Sequence, residues 1–181
     1  MSTENQSVCA VVVAAGSSRR MGGENKLLLP LCGKPVLAHT LTAFQMCGAV
    51  RDIVLVCREQ DMEVYRTLAA ENGITKLRTL TRGGDTRTES VLAGVSAASE
   101  ACALVAVHDG ARPLVSDEVI TQAVAEAAKT GAAAPVVPVK DSIKRIENGK
   151  IAADVPRDTL AAVQTPQVFR RDMLLHEIGR A

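Results

Sequence analysis

Four short apolar runs, each followed by a polar loop and a segment of helical periodicity, constrain this chain more than any other feature. Val8 to Ala14 is unbroken, apolar and rich in β-branched residues, as a strand buried on both faces must be. Ile53 to Cys57 repeats that pattern, Leu77 to Leu80 is a shorter third strand, and Leu104 to Val107 is a fourth that runs into His108-Asp109-Gly110. Pro35 is placed to be a first helical residue, followed by Leu37, Leu41 and Phe44 at helical spacing. Val64, Tyr65, Leu68 and Ala69 mark a second helix that stops near Asn72-Gly73. Thr86 or Thr88 caps a third helix carrying Val91, Leu92 and Val95. Ser116 caps a fourth, with Asp117 and Glu118 in its first turn and Val119, Ile120, Ala123, Val124 and Ala127 on its apolar face. Strand and helix alternate, which predicts an α/β fold with a mostly parallel sheet and helices on both faces. At 181 residues the chain is one domain, residues 1–181.

Residues 140–158 break the pattern. They are polar, carry the turn Glu147-Asn148-Gly149-Lys150 and have short β-like flanks, so they read as a hairpin arm projecting from the sheet. Such an arm has little core of its own, and a second copy of the chain is expected to cover it as a homodimer. Ligands of open α/β sheets bind at the carboxyl ends of the strands, which puts the loop after Val13 and the segment His108 to Pro113 on one rim.

Composition removes several classes of function. Aromatic residues make up 2% of the chain, and the net charge is +1. That provides neither stacking platforms nor a broad phosphate-tracking surface, so no nucleic-acid partner is expected. Five cysteines occur without any CxxC pair, which suits reduced, mostly buried thiols in a cytoplasmic protein and disfavours structural zinc. The N-terminus has no basic residue before a short apolar run, unlike a signal peptide, and no stretch is long enough to span a membrane.

The loop Ala14 to Lys26 reads AAGSSRRMGGENK. Small residues admit a ligand close to the backbone, and the basic ones point to an anion. It is not a P-loop, since GxxxxGK[ST] is absent, and it fails GxGxxG because Ser17 and Ser18 follow Gly16. A dinucleotide oxidoreductase is therefore a weak alternative. What remains is AAG-x-x-x-R-M-x(4)-K, with Arg20, Met21 and Lys26 at the fixed positions. This resembles the signature loop of the nucleoside-triphosphate nucleotidyltransferases, which share a Rossmann-like sheet. Gly83-Gly84-Asp85-Thr86-Arg87 with Ser90-Val91, then Val107 to Pro113 (VHDGARP), Pro138 to Lys144 (PVKDSIK) and Gln164 to Phe169 (QTPQVF) follow in order. Together they resemble the 2-C-methyl-D-erythritol 4-phosphate cytidylyltransferase family over nearly the whole chain.

The resemblance implies attack of a substrate phosphate oxygen on the α-phosphorus of CTP, which fixed cations and a metal can promote without a strong general base. It assigns Arg20 and Lys26 to the triphosphate and the transition state, and sets the backbone of Ala14, Ala15 and Gly16 against the nucleotide. On spacing alone these charges read equally well as solvated loop side chains, as Arg19 does. The resemblance gives cytosine recognition to Gly84, Asp85 and Ser90, with helix capping as the competing reading of the last two. Asp109 would hold Mg²⁺, although an Asp beside Gly110 is also a common turn. Arg112, Ser142, Arg157 and Thr165 would hold the methylerythritol phosphate, with Arg157 reaching a neighbouring subunit's site from the arm. The competing reading of Arg157 is an ordinary surface arginine. His108 reads as structural, with no partner evident in the sequence.

Two departures stand out. The loop reads Glu24-Asn25-Lys26-Leu27-Leu28 where many relatives have Pro-Lys-Gln, with the lysine retained; Ser142 in place of a common Thr is a milder change that keeps the hydroxyl. The chain also ends at Ala181, before a family segment that carries an Asp-Glu pair and a lysine near the site. A protein truly ending there is expected to turn over weakly beside one extended to the family length. The alternatives are a cytidylyltransferase for ribitol 5-phosphate or a related polyol phosphate, and a non-catalytic CTP-binding module.

Overall fold

The computed structural model describes residues 7–16 and 24–178. A six-stranded sheet is built from β1 (Val8–Val13), β4 (Val50–Cys57), β5 (Leu77–Arg82), β6 (Leu104–Asp109), β7 (Ala132–Ala133) and β12 (Gln167–Arg170), in the order β5-β4-β1-β6-β12-β7. The first four run parallel, while β12 pairs antiparallel with both β6 and β7. Within β1, Ala10 and Val12 enter one core and Cys9 and Val11 the other. Burial on both faces is why this strand shows no polar alternation.

One face is covered by α1 (Val36–Met46) and α2 (Met62–Glu71), through Leu37, Leu41 and Phe44 and through Tyr65, Leu68 and Ala69. Ile120, Ala123 and Ala127 of α4 (Asp117–Thr130) cover the same side farther along the sheet. The opposite face takes α3 (Arg87–Ala97), through Val91 and Val95, and α5 (Arg171–Ile178), through Leu174, Leu175 and Ile178. Helix α3 lies close to the sheet because Gly94 has no side chain; a Cβ there would stand 2.4 Å from Val11 Cγ1. Its N-terminus is a capping box in which the Thr86 hydroxyl accepts from Glu89 N–H and the Glu89 carboxylate accepts from Thr86 N–H.

Several boundaries differ from the sequence expectation. The first strand ends at Val13, and Ala14 turns away with its N–H bonded to Val56 O at 2.7 Å. Pro35 is not the first helical residue: it caps α1 from the extended region while Lys34 and Pro35 (β3) pair with Pro30 and Leu31 (β2). Val64 is exposed rather than part of the apolar face of α2. The third strand runs two residues farther, to Arg82.

The arm is present but longer than 140–158. Its tip is a hairpin of β9 (Ile143–Glu147) and β10 (Lys150–Val155), with Asn148 and Gly149 both at positive φ (50° and 75°). That is the mirror-image turn an Asn-Gly pair supports. Its base is a second ribbon, β8 (Val136–Pro138) on β11 (Ala161–Val163), which lacks any turn signal of its own in the sequence.

Candidate active site

A cleft of about 1300 Å³ opens at the carboxyl ends of β1, β4, β5 and β6. Ala14, Ala15, Gly16, Lys26, Gly84, Asp85, Ser90, Asp109 and Arg112, residues drawn from the segments that follow β1, β5 and β6, all line it. Arg20 lies outside the described residues. Ser142 and Arg157 are exposed on the arm and line no part of the cleft, and the Arg157 guanidinium donates to Lys140 O at 2.9 Å. Thr165 lines an adjoining cavity of about 440 Å³ that shares Arg112 with the cleft.

The floor between the loops after β1 and β5 is tight. A Cβ on Gly83 would fall 2.5 Å from Ala15 Cβ and 2.8 Å from Ser90 Oγ, so only glycine lets these two segments meet. The Ser90 hydroxyl is buried and donates to Thr86 O at 2.9 Å. The cap of α3 is Thr86, which leaves Asp85 exposed at the cleft rather than engaged in capping. Because Ala14 N–H is bonded to Val56 O, its contribution to a ligand is shape, not a donated hydrogen bond.

Lys26 is held by its neighbours. Asn25 Oδ1 accepts from Leu27 N–H at 3.2 Å, and its amide donates to the Tyr65 hydroxyl at 2.9 Å. Leu27 is buried and its carbonyl accepts from Leu37 N–H. The ammonium-bearing residue thus sits between two anchors. Asn25 was missed as a positioning residue; its Asx turn is the only local signal that could have revealed it.

Asp109 ends β6 with its carboxylate in the cleft. Arg112 Nε donates to Oδ2 at 2.9 Å and Arg87 Nη2 to Oδ1 at 3.2 Å. Burial alone would raise its pKa, but the hydrogen bond from Arg112 and the charge of Arg87 outweigh that and hold the carboxyl below its usual range. Arg112 also donates to Gln164 Oε1 at 2.6 Å. Thr40 Oγ1, buried under the loop, donates to Gly110 O at 2.8 Å and pins the turn. Among the described residues, five basic side chains line the cleft (Lys26, Arg58, Arg82, Arg87 and Arg112) against three carboxylates (Glu59, Asp85 and Asp109), which suits a polyanion.

His108 does have partners, contrary to the sequence reading. It is fully buried, stacks edge-on against Phe44, and sits 3.1 Å from Arg112 O and 2.9 Å from Thr165 Oγ1. Burial pushes its pKa down to about 4, so the ring is neutral. A carbonyl can only accept; Nε2 therefore carries the proton to Arg112 O, and Nδ1 accepts from the Thr165 hydroxyl.

The family model of 2-C-methyl-D-erythritol 4-phosphate cytidylyltransferase matches residues 8–181. A protein of that name from Dehalococcoides mccartyi is 43% identical over 171 residues, covering 94% of this chain and 75% of its own. One from Halalkalibacterium halodurans is 46% identical over 160 residues, covering 88% and 70%. Among solved structures, the 4-diphosphocytidyl-2C-methyl-D-erythritol synthase of Anaerococcus prevotii aligns with a TM-score of 0.86 at 26% identity, over 98% of this chain and 75% of that one. The cytidylyltransferase of Thermus thermophilus aligns at 0.71 and 30%, over 95% and 75%. With its parallel sheet, its glycine-floored cleft and its arginine-clamped Asp109, the chain belongs to the 2-C-methyl-D-erythritol 4-phosphate cytidylyltransferase family.

Proposed function

We propose that the protein joins CTP and 2-C-methyl-D-erythritol 4-phosphate to give 4-diphosphocytidyl-2-C-methyl-D-erythritol and pyrophosphate. A phosphate oxygen of the polyol phosphate forms a bond to the α-phosphorus, and the bond from that phosphorus to the bridging oxygen of pyrophosphate breaks. The observation that carries this reading is the convergence of Arg87 and Arg112 on Asp109, in a cleft that Lys26 also lines and that is floored by the close-packed Ala15 and Gly83. The nucleophile is already an anion, so the task is to bring two anions together and stabilise the charge that develops; fixed cations do both.

Lys26, with Arg20, serves the triphosphate. Gly84, Asp85 and Ser90 stand at the cleft wall where a cytosine edge would be read. Arg112 spans cleft and adjoining cavity and so can bind the phosphate of the acceptor. Thr165 has committed its proton to His108, and so it meets the acceptor as a hydrogen-bond acceptor, suited to a polyol hydroxyl rather than a phosphate oxygen.

Asp109 fits a magnesium ion: one hard carboxylate at a phosphate site is the usual protein share of its coordination. Bound there, the ion would neutralise charge on the triphosphate oxygens. The protein is further proposed to act as a cytoplasmic homodimer through the arm, with Ser142 and Arg157 completing the partner's site. Its five cysteines are free thiols, as a reducing compartment requires.

Pyrophosphate release from CTP and Mg²⁺, with 2-C-methyl-D-erythritol 4-phosphate or ribitol 5-phosphate as acceptor, tests the reading. Turnover with the first alone is expected. Turnover with ribitol 5-phosphate alone would move the protein to that substrate, and CTP binding without turnover on either would make it a nucleotide-binding module.

A further inference from the structure

Arg87 has so far been only one of the cations lining the cleft, with no ligand of its own. It is the first residue of α3, and the capping box of Thr86 and Glu89 fixes its backbone. Its side chain reaches across to Asp109, 3.2 Å away, while Arg112 takes the other carboxylate oxygen. Both carboxylate oxygens, either of which could hold a metal, are therefore engaged by guanidinium groups. The two arginines are not equally free to leave. Arg112 is also held by Gln164 at 2.6 Å, and its carbonyl by His108 at 3.1 Å. Arg87 makes the longer contact and its side chain is half exposed, swinging from a rigid base toward the space that Lys26 also lines.

We propose that Arg87 is the exchangeable counter-charge of Asp109, holding the carboxylate while the cleft is empty and passing to the triphosphate when a divalent cation takes its place. This rests on the reading of Asp109 as the metal-holding carboxylate. A divalent ion coordinated by a carboxylate oxygen sits at about 2.1 Å from it, within a few ångströms of the guanidinium, and like charges that close repel strongly in a partly buried site. Metal binding to the empty cleft is thereby suppressed. Nucleotide lifts that suppression by giving Arg87 an anion of its own, so metal and CTP load together. The Gly83-Gly84-Asp85 wall is joined to Arg87 through the single cap residue Thr86, so occupancy of the base site is coupled to release of Asp109.

The test is Mn²⁺ binding to the whole chain, followed by electron paramagnetic resonance, with and without CTP, in the wild type and in R87M, R87Q, R87K and D109N. Without nucleotide, R87M and R87Q are expected to bind Mn²⁺ about tenfold more tightly than wild type, while R87K, which keeps the charge, stays near it. Combining D109N with R87M removes the gain. Metal-free CTP binding weakens severalfold in R87M. Unchanged or weaker Mn²⁺ binding in R87M and R87Q, or one equal change in all three Arg87 variants, overturns the proposal. The reading of Asp109 fails separately, and this proposal with it, if D109N binds Mn²⁺ and CTP as the wild type does.

Discussion

Lys26 reaches the cleft from a segment with little regular structure, so its placement depends on single contacts. Its replacement by Met removes a fixed cation from the developing charge, and kcat for pyrophosphate release is expected to fall by about 10²-fold or more with the fold intact by circular dichroism. The anchor can be tested apart from the charge. Tyr65→Phe leaves the Asn25 amide without its partner at 2.9 Å, at a cost of about 1 kcal/mol in stability. The same variant has a pH signature. Burial pushes the Tyr65 phenol up to about 12, above its ordinary value of 10.0, so the folded state favours the neutral form. Its contribution is complete below pH 10 and is lost as pH rises toward 12. Denaturant midpoints are expected to fall less steeply across that window in Tyr65→Phe than in wild type. Beyond its Asx-turn chemistry the role of Asn25 is not legible in the sequence, because its partner Tyr65 lies 40 residues away.

At the scale of elements, the junction of β5 with α3 decides whether the cleft has a floor. Gly83→Ala would drive a methyl into Ala15 and Ser90, and neither can retreat: Ala15 follows the Val56-bonded Ala14, and Ser90 is buried in the helix. A loss of about 1–3 kcal/mol in stability is expected, with CTP affinity falling alongside it in calorimetry. Thr86→Ala should cost about 1 kcal/mol by removing the cap without a clash, and its effect on CTP should be smaller. The choice between Thr86 and Thr88 as cap was in fact readable, since Glu89 stands three residues after Thr86 and completes a capping box. The antiparallel addition of β12 and β7 was not. These strands of four and two residues are too short for a period, and β12 takes its place by pairing with the distant β6.

For the whole molecule, the exposed apolar surface is unevenly placed. Val136, Val137, Ile143, Ile146, Ile151 and Val163 are all exposed and all lie on the excursion between β7 and β12. A two-stranded hairpin has no core to account for them, and the proposed second copy would cover them. Ile151→Asp is expected to convert the proposed dimer to a monomer in sedimentation equilibrium, and turnover should fall with it if Arg157 completes the partner's site. A dimer that persists in this variant would put the interface elsewhere.

The amino-acid sequence alone determined the alternation of strand and helix, the parallel core of the sheet, the cap of α4, a threonine cap on α3 and the hairpin turn. Each of these is decided by neighbours within a few residues, through periodicity, cap chemistry or backbone freedom. It also supplied the motifs of the cleft in their order. Only the tertiary structure decided which of them touch: that Gly83 must be bare because Ala15 lies against it, that Arg87 and Arg112 share Asp109, and that His108 fixes the proton of Thr165. Those contacts join residues up to 68 apart in the case of Ala15 and Gly83 (83 − 15), and no local pattern encodes a distance that the packing of the sheet sets.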